Sequence, residues 1–452
     1  MNRRVATRWW GIPQAPAAVP LPVEPAGRWD LLLVCLAGYV LTAVGRVNQL
    51  FGLLEPLRLA LISSALAIAL YILNQSRARR LQPVFRMWNT RWIVGLGVWA
   101  ALSVPGALWA GGALDAFIEF AKMVVMCVVL IGAARSVRDV ERLAFVYLVS
   151  VGIYAAVVLT RFDVGQGDWR LGSLYYYDAN EFATLAVISL PLGVYFMARP
   201  RPWWRRLASV PAVAALAVGI IWAGSRGGFL ALLAVGAFLL LRYTAIHVRW
   251  RILTTALLAF VFAATASDTY WEKMKTIVQP KDDYNVTGEE GRLKVWKRGM
   301  GYMLEHPLLG VGVGNFATAE GKLSSIAASA AVGRGVKWSV AHNSFVQIGA
   351  ELGVPGLIVF VSMLVGGFRS LRVVQKRSRQ LRPPGEPSPA TASLAQALSA
   401  SLIGYVVGGF FLSLAYRDML LVLLALVAAL RKVTLLAERP PTLARHPLTW
   451  SS

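Results

Sequence analysis

The chain has 452 residues, of which 57% are hydrophobic and only 15% charged, and its mean hydropathy is +0.56. Soluble domains carry about 25% charged residues, whereas the apolar residues of this chain come in blocks of roughly 20, the length that crosses a bilayer as a helix. The formal net charge of +23 lies mostly in short loops between those blocks. That distribution is typical of membrane proteins and argues against a nucleic-acid partner.

Twelve apolar blocks follow one another along the chain, and none shows the strict alternation of a membrane β-barrel. The predicted fold is therefore an all-α polytopic bundle of about twelve transmembrane helices. The blocks cover about 31–45, 54–73, 92–111, 114–134, 141–160, 180–198, 207–224, 227–243, 250–267, 345–366, 393–414 and 418–436.

Basic residues recur in every second loop, where the positive-inside rule expects the cytoplasm. This alternation predicts that both chain ends are cytoplasmic. It divides the chain into a cytoplasmic tail at 1–28, transmembrane helices 1–9 at 29–267, a periplasmic loop at 268–341, helices 10–12 at 342–436 with a Pro-rich cytoplasmic linker at about 382–390, and a cytoplasmic tail at 437–452.

The predicted outer loop at 268–341 is far longer than a hairpin and nearly neutral. Apolar residues recur in it at helical spacing until Pro307 ends the pattern. The recurring residues are Leu293, Trp296, Met300, Met303 and Leu304. A Gly-rich turn at 308–316 and a second short helix at 323–332 are expected to follow. We predict that this segment forms a small helical cap over the outer mouth of the bundle.

Several arginines are predicted at the outer ends of helices, where positive charge is depleted in membrane proteins. Arg161 ends one helix, Arg226 joins two helices with almost no loop, and Arg292 begins the predicted cap helix. A guanidinium binds phosphate through a planar fork of donors, so these three are candidates for binding a lipid pyrophosphate. The alternative is pairing with a carboxylate or snorkelling to the interface, and Arg417 with Asp418 is the simplest such pair.

Three further polar residues accompany these arginines. Asp178 and Asn180 begin the sixth predicted helix at the outer face, where helix capping competes with a role in holding an acceptor or positioning an arginine. Arg298 lies on the predicted cap helix, either as a further anion ligand or as part of that helix's polar face.

His342 lies where the polar outer loop gives way to an apolar helix, and it is one of only four histidines. The positive end of a helix dipole favours a neutral imidazole, which accepts a proton from an attacking hydroxyl. The structural alternative is an interfacial histidine bonded to backbone. Asn343 either caps the helix or holds the imidazole.

Several kinds of site are absent from the sequence. It has no P-loop, no Rossmann glycine fingerprint and no Cys/His cluster at metal-ligand spacing. Cys35 and Cys127 lie in apolar blocks, so we expect no disulfide and no metal cluster. The predicted outer loops have no Asp-x-Asp pair of the kind that holds a divalent ion in sugar-transfer sites, so we expect no metal and no cofactor. Nucleotides are cytoplasmic, so chemistry at the outer face needs a donor that is already activated.

The spacing around His342 resembles the signature of a known family. His342-Asn343 is followed after nine residues by Gly353 and after two more by Gly356, as in the ligases of the O-antigen ligase/polymerase superfamily of bacterial envelope enzymes. Other matching stretches are Asp178-Ala179-Asn180, Ser225-Arg226-Gly227-Gly228, and the run from Arg292 and Trp296 to His306-Pro307-Leu308-Leu309-Gly310-Val311-Gly312.

The resemblance implies a GT-C-like bundle in a Gram-negative inner membrane, with its active site facing the periplasm. It implies an inverting transfer of O-antigen from undecaprenyl pyrophosphate to a sugar hydroxyl of lipid A-core, which completes lipopolysaccharide. The partners would be these two substrates and membrane lipids. On this hypothesis His342 is catalytic, and the candidate arginines offset charge on the departing pyrophosphate.

Alternative functions stay open at this stage. An O-antigen polymerase and a protein O-oligosaccharyltransferase differ from the ligase only in the acceptor. A flippase or transporter of lipid-linked glycans belongs to a different class. Glu119 and Lys122 fall mid-helix in the fourth predicted span and are spaced to pair, but no internal repeat typical of transporters is evident.

Overall fold

In a computed structural model, the described residues are 29–78, 84–161, 170–171, 176–199, 202–279, 288, 291–324, 327, 338–380 and 390–437. The predicted N-terminal tail lies outside these ranges, as do nearly all of the predicted C-terminal tail, most of the Pro-rich linker and most of the short helix predicted at 323–332. Within the described ranges the chain forms helices and no strand.

These helices are, in chain order, α1 (Leu31–Ala43), α2 (Val47–Leu50), α3 (Leu59–Ala78), α4 (Trp88–Ser103), α5 (Ala110–Ala133), α6 (Val137–Arg161), α7 (Ala179–Met197), α8 (Trp203–Ala223), α9 (Arg226–Arg242), α10 (Val248–Thr265), α11 (Asp268–Lys275), α12 (Arg292–Glu305), α13 (Phe316–Lys322), α14 (Ser344–Gln380), α15 (Ala390–Gly409) and α16 (Asp418–Ala437).

Each of the twelve predicted apolar blocks corresponds mainly to one of the longer helices: α1, α3 to α10, and α14 to α16. Eight helices of the described chain are long and apolar enough to cross a membrane, namely α5 to α8, α10 and α14 to α16. The predicted all-helical, multi-pass membrane protein is therefore confirmed. The count of twelve spans, the positions of the termini and the cap over the mouth stay predictions.

The core of the bundle is built around α15 and α16. Every residue of α16 from 418 to 430 is buried, as expected for a helix that is apolar on all sides. Most of α15 is buried too, and its many alanines and serines let neighbouring helices approach closely.

On an exposed side of α5, Glu119 and Lys122 form the predicted pair, with 2.6 Å between Oε1 and Nζ.

Ion pairs and helix caps join the helix ends at the predicted cytoplasmic end of the bundle. Arg135 pairs with Asp30, which joins the start of α1 to the loop after α5. Lys432, in the last turns of α16, is buried and donates to the carbonyl of Gly132 at 2.9 Å. A cation at this position stabilises the C-terminus of α5.

The segment between α10 and α14 contains the predicted cap helix, α12, which ends before Pro307 as expected. The face that packs inward is not the one that carries most of the recurring apolar residues. Val295, Gly299 and Tyr302 are its buried residues, whereas Leu293, Met300 and Leu304 are exposed. The short helix α13, which directly follows the Gly-rich turn, has no counterpart in the sequence prediction.

Candidate functional site

The site is organised by a break in α14 at Gly353. The backbone there has φ 69° and ψ −172°, which interrupts the helix. A Cβ at this position would lie 2.5 Å from the carbonyl oxygens of Pro307 and Leu308, so the close approach requires glycine. Beyond the break, the Val354 amide donates to the Pro307 carbonyl at 2.9 Å. Gly353 therefore allows Pro307 and Leu308 to pack against the backbone of α14 at the break.

The Gly-rich segment 308–316 docks into this break. The Val311 amide donates to the Ala350 carbonyl at 2.8 Å. The buried Glu351 carboxylate accepts a hydrogen bond from the Gly314 amide at 3.0 Å. These hydrogen bonds pair the backbone groups that the break exposes, and they fix residues 308–316 to the first turns of α14.

His342 directly precedes these turns and has a left-handed backbone, with φ 47°. Non-glycine residues adopt this region rarely, although histidine does so more readily than most, and such strain costs about 1–3 kcal/mol. Its amide donates to Ser413 Oγ at 2.9 Å. The histidine is half-buried, at one end of the bundle and at the edge of its core.

The loop between α15 and α16, residues 410–417, holds the His342 segment in place, and we call it the clamp loop. Ser344 Oγ donates to the Leu412 carbonyl at 2.7 Å and accepts from the Leu414 amide at 2.9 Å. Together with the hydrogen bond to His342, these contacts fix the chain on both sides of Asn343.

Helix α12 holds the other side of the histidine. Trp296 Nε1 donates to the carbonyl of Ala341 at 2.9 Å, and its ring contacts Phe410 edge-on with centroids 5.3 Å apart. The residue before His342 is therefore fixed by α12, while His342 itself is fixed by the clamp loop.

Asn343 caps α14. Its Oδ1 accepts from the amides of Phe345 at 2.9 Å and Val346 at 3.1 Å. Of the two roles predicted for this side chain, capping is the one its oxygen performs. His342 consequently lies just outside the positive end of a capped helix.

Asp178 and Asn180 have separate roles at the start of α7. Asp178 Oδ1 accepts from the amides of Asn180 at 2.6 Å and Glu181 at 2.8 Å, which forms a capping box. Asn180 Oδ1 accepts from Arg170, which also donates to the Ala223 carbonyl. Of the predicted roles, Asp178 therefore caps the helix, and Asn180 positions an arginine.

Two of the three candidate arginines lie beside elements that hold His342. The Cβ that Gly227 lacks would be 3.1 Å from Phe411 of the clamp loop, so the adjacent Arg226 starts α9 next to that loop. Arg226 also donates to Thr276 at 2.7 Å. Arg292 is the first residue of α12, one helical turn before Trp296.

Arg161 lies elsewhere at this end. It donates to the Leu50 carbonyl at 2.7 Å and stacks on Phe51, so it joins α6 to α2. These contacts do not place Arg161 beside the clamp loop.

Arg298 is part of an internal ion pair. Its Nε and Nη2 donate to both carboxylate oxygens of the buried Glu320, and the Tyr302 hydroxyl donates to the same carboxylate at 2.8 Å. The hydrogen bonds to Glu320 raise the pKa of the Arg298 guanidinium, and burial raises the pKa of Tyr302. This geometry favours a structural link between α12 and α13 over binding of an external anion.

The predicted pair of Arg417 with Asp418 is wrong. Arg417 pairs with Glu181 at 3.1 Å, and Asp418 pairs with Arg46 at 3.0 Å. Adjacent residues at a helix start point in different directions, so each finds a partner on another helix. Sequence reasoning missed this network because its members are far apart in the chain.

Tyr176 joins the two pairs into one cluster. The Arg46 guanidinium lies 3.7 Å from the centroid of its ring, and Arg417 donates to its hydroxyl at 2.9 Å. Arg46 also has a left-handed backbone, with φ 49°. The cluster thus links the start of α2 to α7 and α16 at the same end of the bundle as His342.

Residues 211–361 match the model of a protein family described as O-antigen ligase. This match, over a third of the chain, supports its membership in the O-antigen ligase/polymerase superfamily. The matched residues include His342, Arg226 and Arg292 as well as the break at Gly353. No curated protein matches the chain at a significant level.

Superfamily membership implies an enzyme that acts on lipid-linked glycans in a membrane. Arg161 and the start of α7 lie outside the matched residues, so the family comparison does not bear on them. In the described part of the chain, no group of three or more His, Cys, Asp or Glu side chains is arranged to hold a metal ion.

Proposed function

We propose that this protein is an O-antigen ligase of a Gram-negative inner membrane. It transfers O-antigen from undecaprenyl pyrophosphate to a sugar hydroxyl of lipid A-core at the periplasmic face. The observation that carries the proposal is His342, held in a left-handed backbone between the clamp loop and α12.

The depth of His342 in the membrane supports a lipid-pyrophosphate donor. On α14 the exposed residues change from apolar to basic at Arg369, which marks the inner edge of the apolar layer. His342 precedes Arg369 by 27 residues, or at most about 40 Å of helix. A hydrocarbon core is about 30 Å thick, so an α14 that runs close to the membrane normal carries His342 to headgroup level on the opposite side.

In the proposed reaction, the acceptor hydroxyl attacks the anomeric carbon of the first O-antigen sugar from the side opposite the pyrophosphate. A new glycosidic bond forms as the bond to the pyrophosphate oxygen breaks, and the configuration inverts. The hydroxyl proton passes to the His342 imidazole, and the bonding electrons leave with the pyrophosphate. Arg226 and Arg292 stabilise that developing charge, with no metal required.

The test uses purified protein in lipid nanodiscs with lipid-linked O-antigen and lipid A-core. Because asparagine tolerates the left-handed backbone but does not take up the proton, His342→Asn should lower turnover at least about 100-fold. His306→Asn, at the exposed end of α12, is the matched control and should keep its rate. Turnover of His342→Asn within about twofold of wild type would exclude the general-base role.

The acceptor separates the ligase from its two relatives. The same preparation is offered lipid A-core, a second lipid-linked O-antigen unit, or a serine-containing peptide. Ligation to the core alone supports the proposal. Chain extension of the lipid-linked glycan, or glycosylated peptide, would instead assign a polymerase or a protein oligosaccharyltransferase.

A further inference from the structure

Helix α12 (Arg292–Glu305) runs alongside the first turns of α14. Trp296 bonds to Ala341, and a Cβ on Gly299 would be 2.5 Å from Val346. A Cβ on Gly349 would likewise be 2.7 Å from the Met303 sulfur. Each successive contact lies further along both helices. Helix α12 therefore runs parallel to α14, from His342 towards the bundle interior.

The side of α12 that faces away from α14 is apolar and uncovered. Leu293, Met300 and Leu304 are 54%, 49% and 72% exposed and share one face at helical spacing. Leu308, just beyond the helix, is 68% exposed. The exposed Lys297 lies on the same face, one turn after Leu293, and the exposed Glu305 lies on the adjoining arc. A lysine can lay its aliphatic stem along an apolar surface while its amine reaches the headgroups.

This apolar side continues into the exposed face of α14. The Val354 amide bonds to the Pro307 carbonyl, so Leu308 and Val354 are neighbours. From there the exposed apolar residues of α14 follow one lipid-facing stripe with helical spacing. The stripe consists of Val354, Ile358, Val361 and Val365.

The stripe is too short to cover the apolar layer alone. Further along the same face come exposed basic residues, namely Arg369, Arg372, Lys376 and Arg379. From Val354 to Arg369 is 15 residues, or about 22 Å of helix. A hydrocarbon core of about 30 Å leaves roughly 8 Å uncovered. This uncovered length of the apolar layer lies at the end of α14 where α12 and Leu308 pack against the helix.

We propose that the C-terminal half of α12 is immersed in the lipid leaflet at the His342 end of the bundle. Leu304 and Leu308 contact acyl chains, Met300 lies higher, and Leu293 with Lys297 reaches the headgroups. The helix thereby supplies the missing length of the lipid-facing surface. On this proposal α12 is part of the membrane domain and does not form the cap over the bundle mouth that the sequence predicts.

Spin labels on the full-length protein in nanodiscs test this placement. Leu304→Cys, Leu293→Cys and the control Glu305→Cys are labelled singly, with the buried Cys35 and Cys127 replaced by alanine. Accessibility is measured to oxygen, which concentrates in lipid, and to a water-soluble nickel chelate. The label at 304 should show a several-fold higher oxygen-to-nickel ratio than the label at 305, and the label at 293 an intermediate one.

Equal nickel accessibility at 304 and 305 would overturn the proposal, because it places both sides of α12 in water. Low accessibility of 304 to both reagents would also overturn it. Spin–spin broadening that disappears on dilution with unlabelled protein would then identify a second copy of the chain as the occupant. None of these readouts depends on catalytic activity.

Discussion

The conformation of His342 depends on a hydrogen bond to a residue 71 positions away. Its amide donates to Ser413, and the adjacent Asn343 caps α14. The strain of a left-handed backbone persists only where the surroundings hold it. On the proposed function, Ser413 is a positioning residue, because it fixes the backbone that carries the imidazole.

Ser413→Ala should lower ligation by about tenfold, because an unmet amide costs about 1–3 kcal/mol and allows the backbone of His342 to relax. Ser413→Thr keeps the hydroxyl and should restore most of the activity. The rate at which diethyl pyrocarbonate modifies His342 should change in the alanine variant as well. Unchanged modification and unchanged ligation would show that Ser413 does not position the histidine.

Among the elements, the break in α14 joins the Gly-rich segment 308–316 to that helix. The amides of the Gly-rich segment and Glu351 hold the two chains together around Gly353. Residues on both sides of this junction belong to the family signature. The spacing His342 to Gly353 thus reflects a fixed length of helix between the histidine and the break.

Gly353→Ala should destabilise the protein by about 3 kcal/mol or more, because a Cβ meets two carbonyl oxygens in a left-handed backbone. The melting temperature in detergent measures the effect. Gly301→Ala is the control, since its Cβ meets no atom within 4 Å in a helix. That variant should be neutral or gain about 0.5–1 kcal/mol. Equal melting temperatures of the two variants would contradict this account of the break.

Hydropathy predicted the helices, but not which way α12 faces. A pattern of Leu293, Trp296 and Met300 marks an apolar side without saying whether protein or lipid covers it. Val295, Gly299 and Tyr302 pack inward because α14 and α13 lie there, and Tyr302 bonds to Glu320. That choice depends on neighbours that the local pattern does not contain.

At the scale of the whole molecule, charged pairs link distant helices at the His342 end of the bundle. Arg46 and Asp418 are 372 residues apart in the chain, and Arg417 and Glu181 are 236 apart. These pairs join the first helices, the middle helices and the last helix around Tyr176. The clamp loop ends within this cluster, at Arg417, so the cluster supports the loop that holds His342.

Asp418→Asn should lower the stability by about 1–3 kcal/mol, because Arg46 is then left half-buried without its counter-charge. Arg46→Gln combined with Asp418→Asn should lose less than the sum of the single variants, since neither charge is left unpaired. Melting temperatures of the four proteins complete a double-mutant cycle. Additive losses would mean that the two side chains do not interact in solution.

The sequence by itself determined the class of molecule, the apolar helices and the His342–Gly353 signature. Length, hydropathy and motif spacing are local properties, and a bilayer leaves helices as the main way to satisfy the backbone. Only the tertiary structure decided the partners of Arg298, Arg417 and Asp418, the exposed side of α12 and the left-handed backbone of His342. Each depends on contacts between residues distant in the chain, which no local pattern encodes.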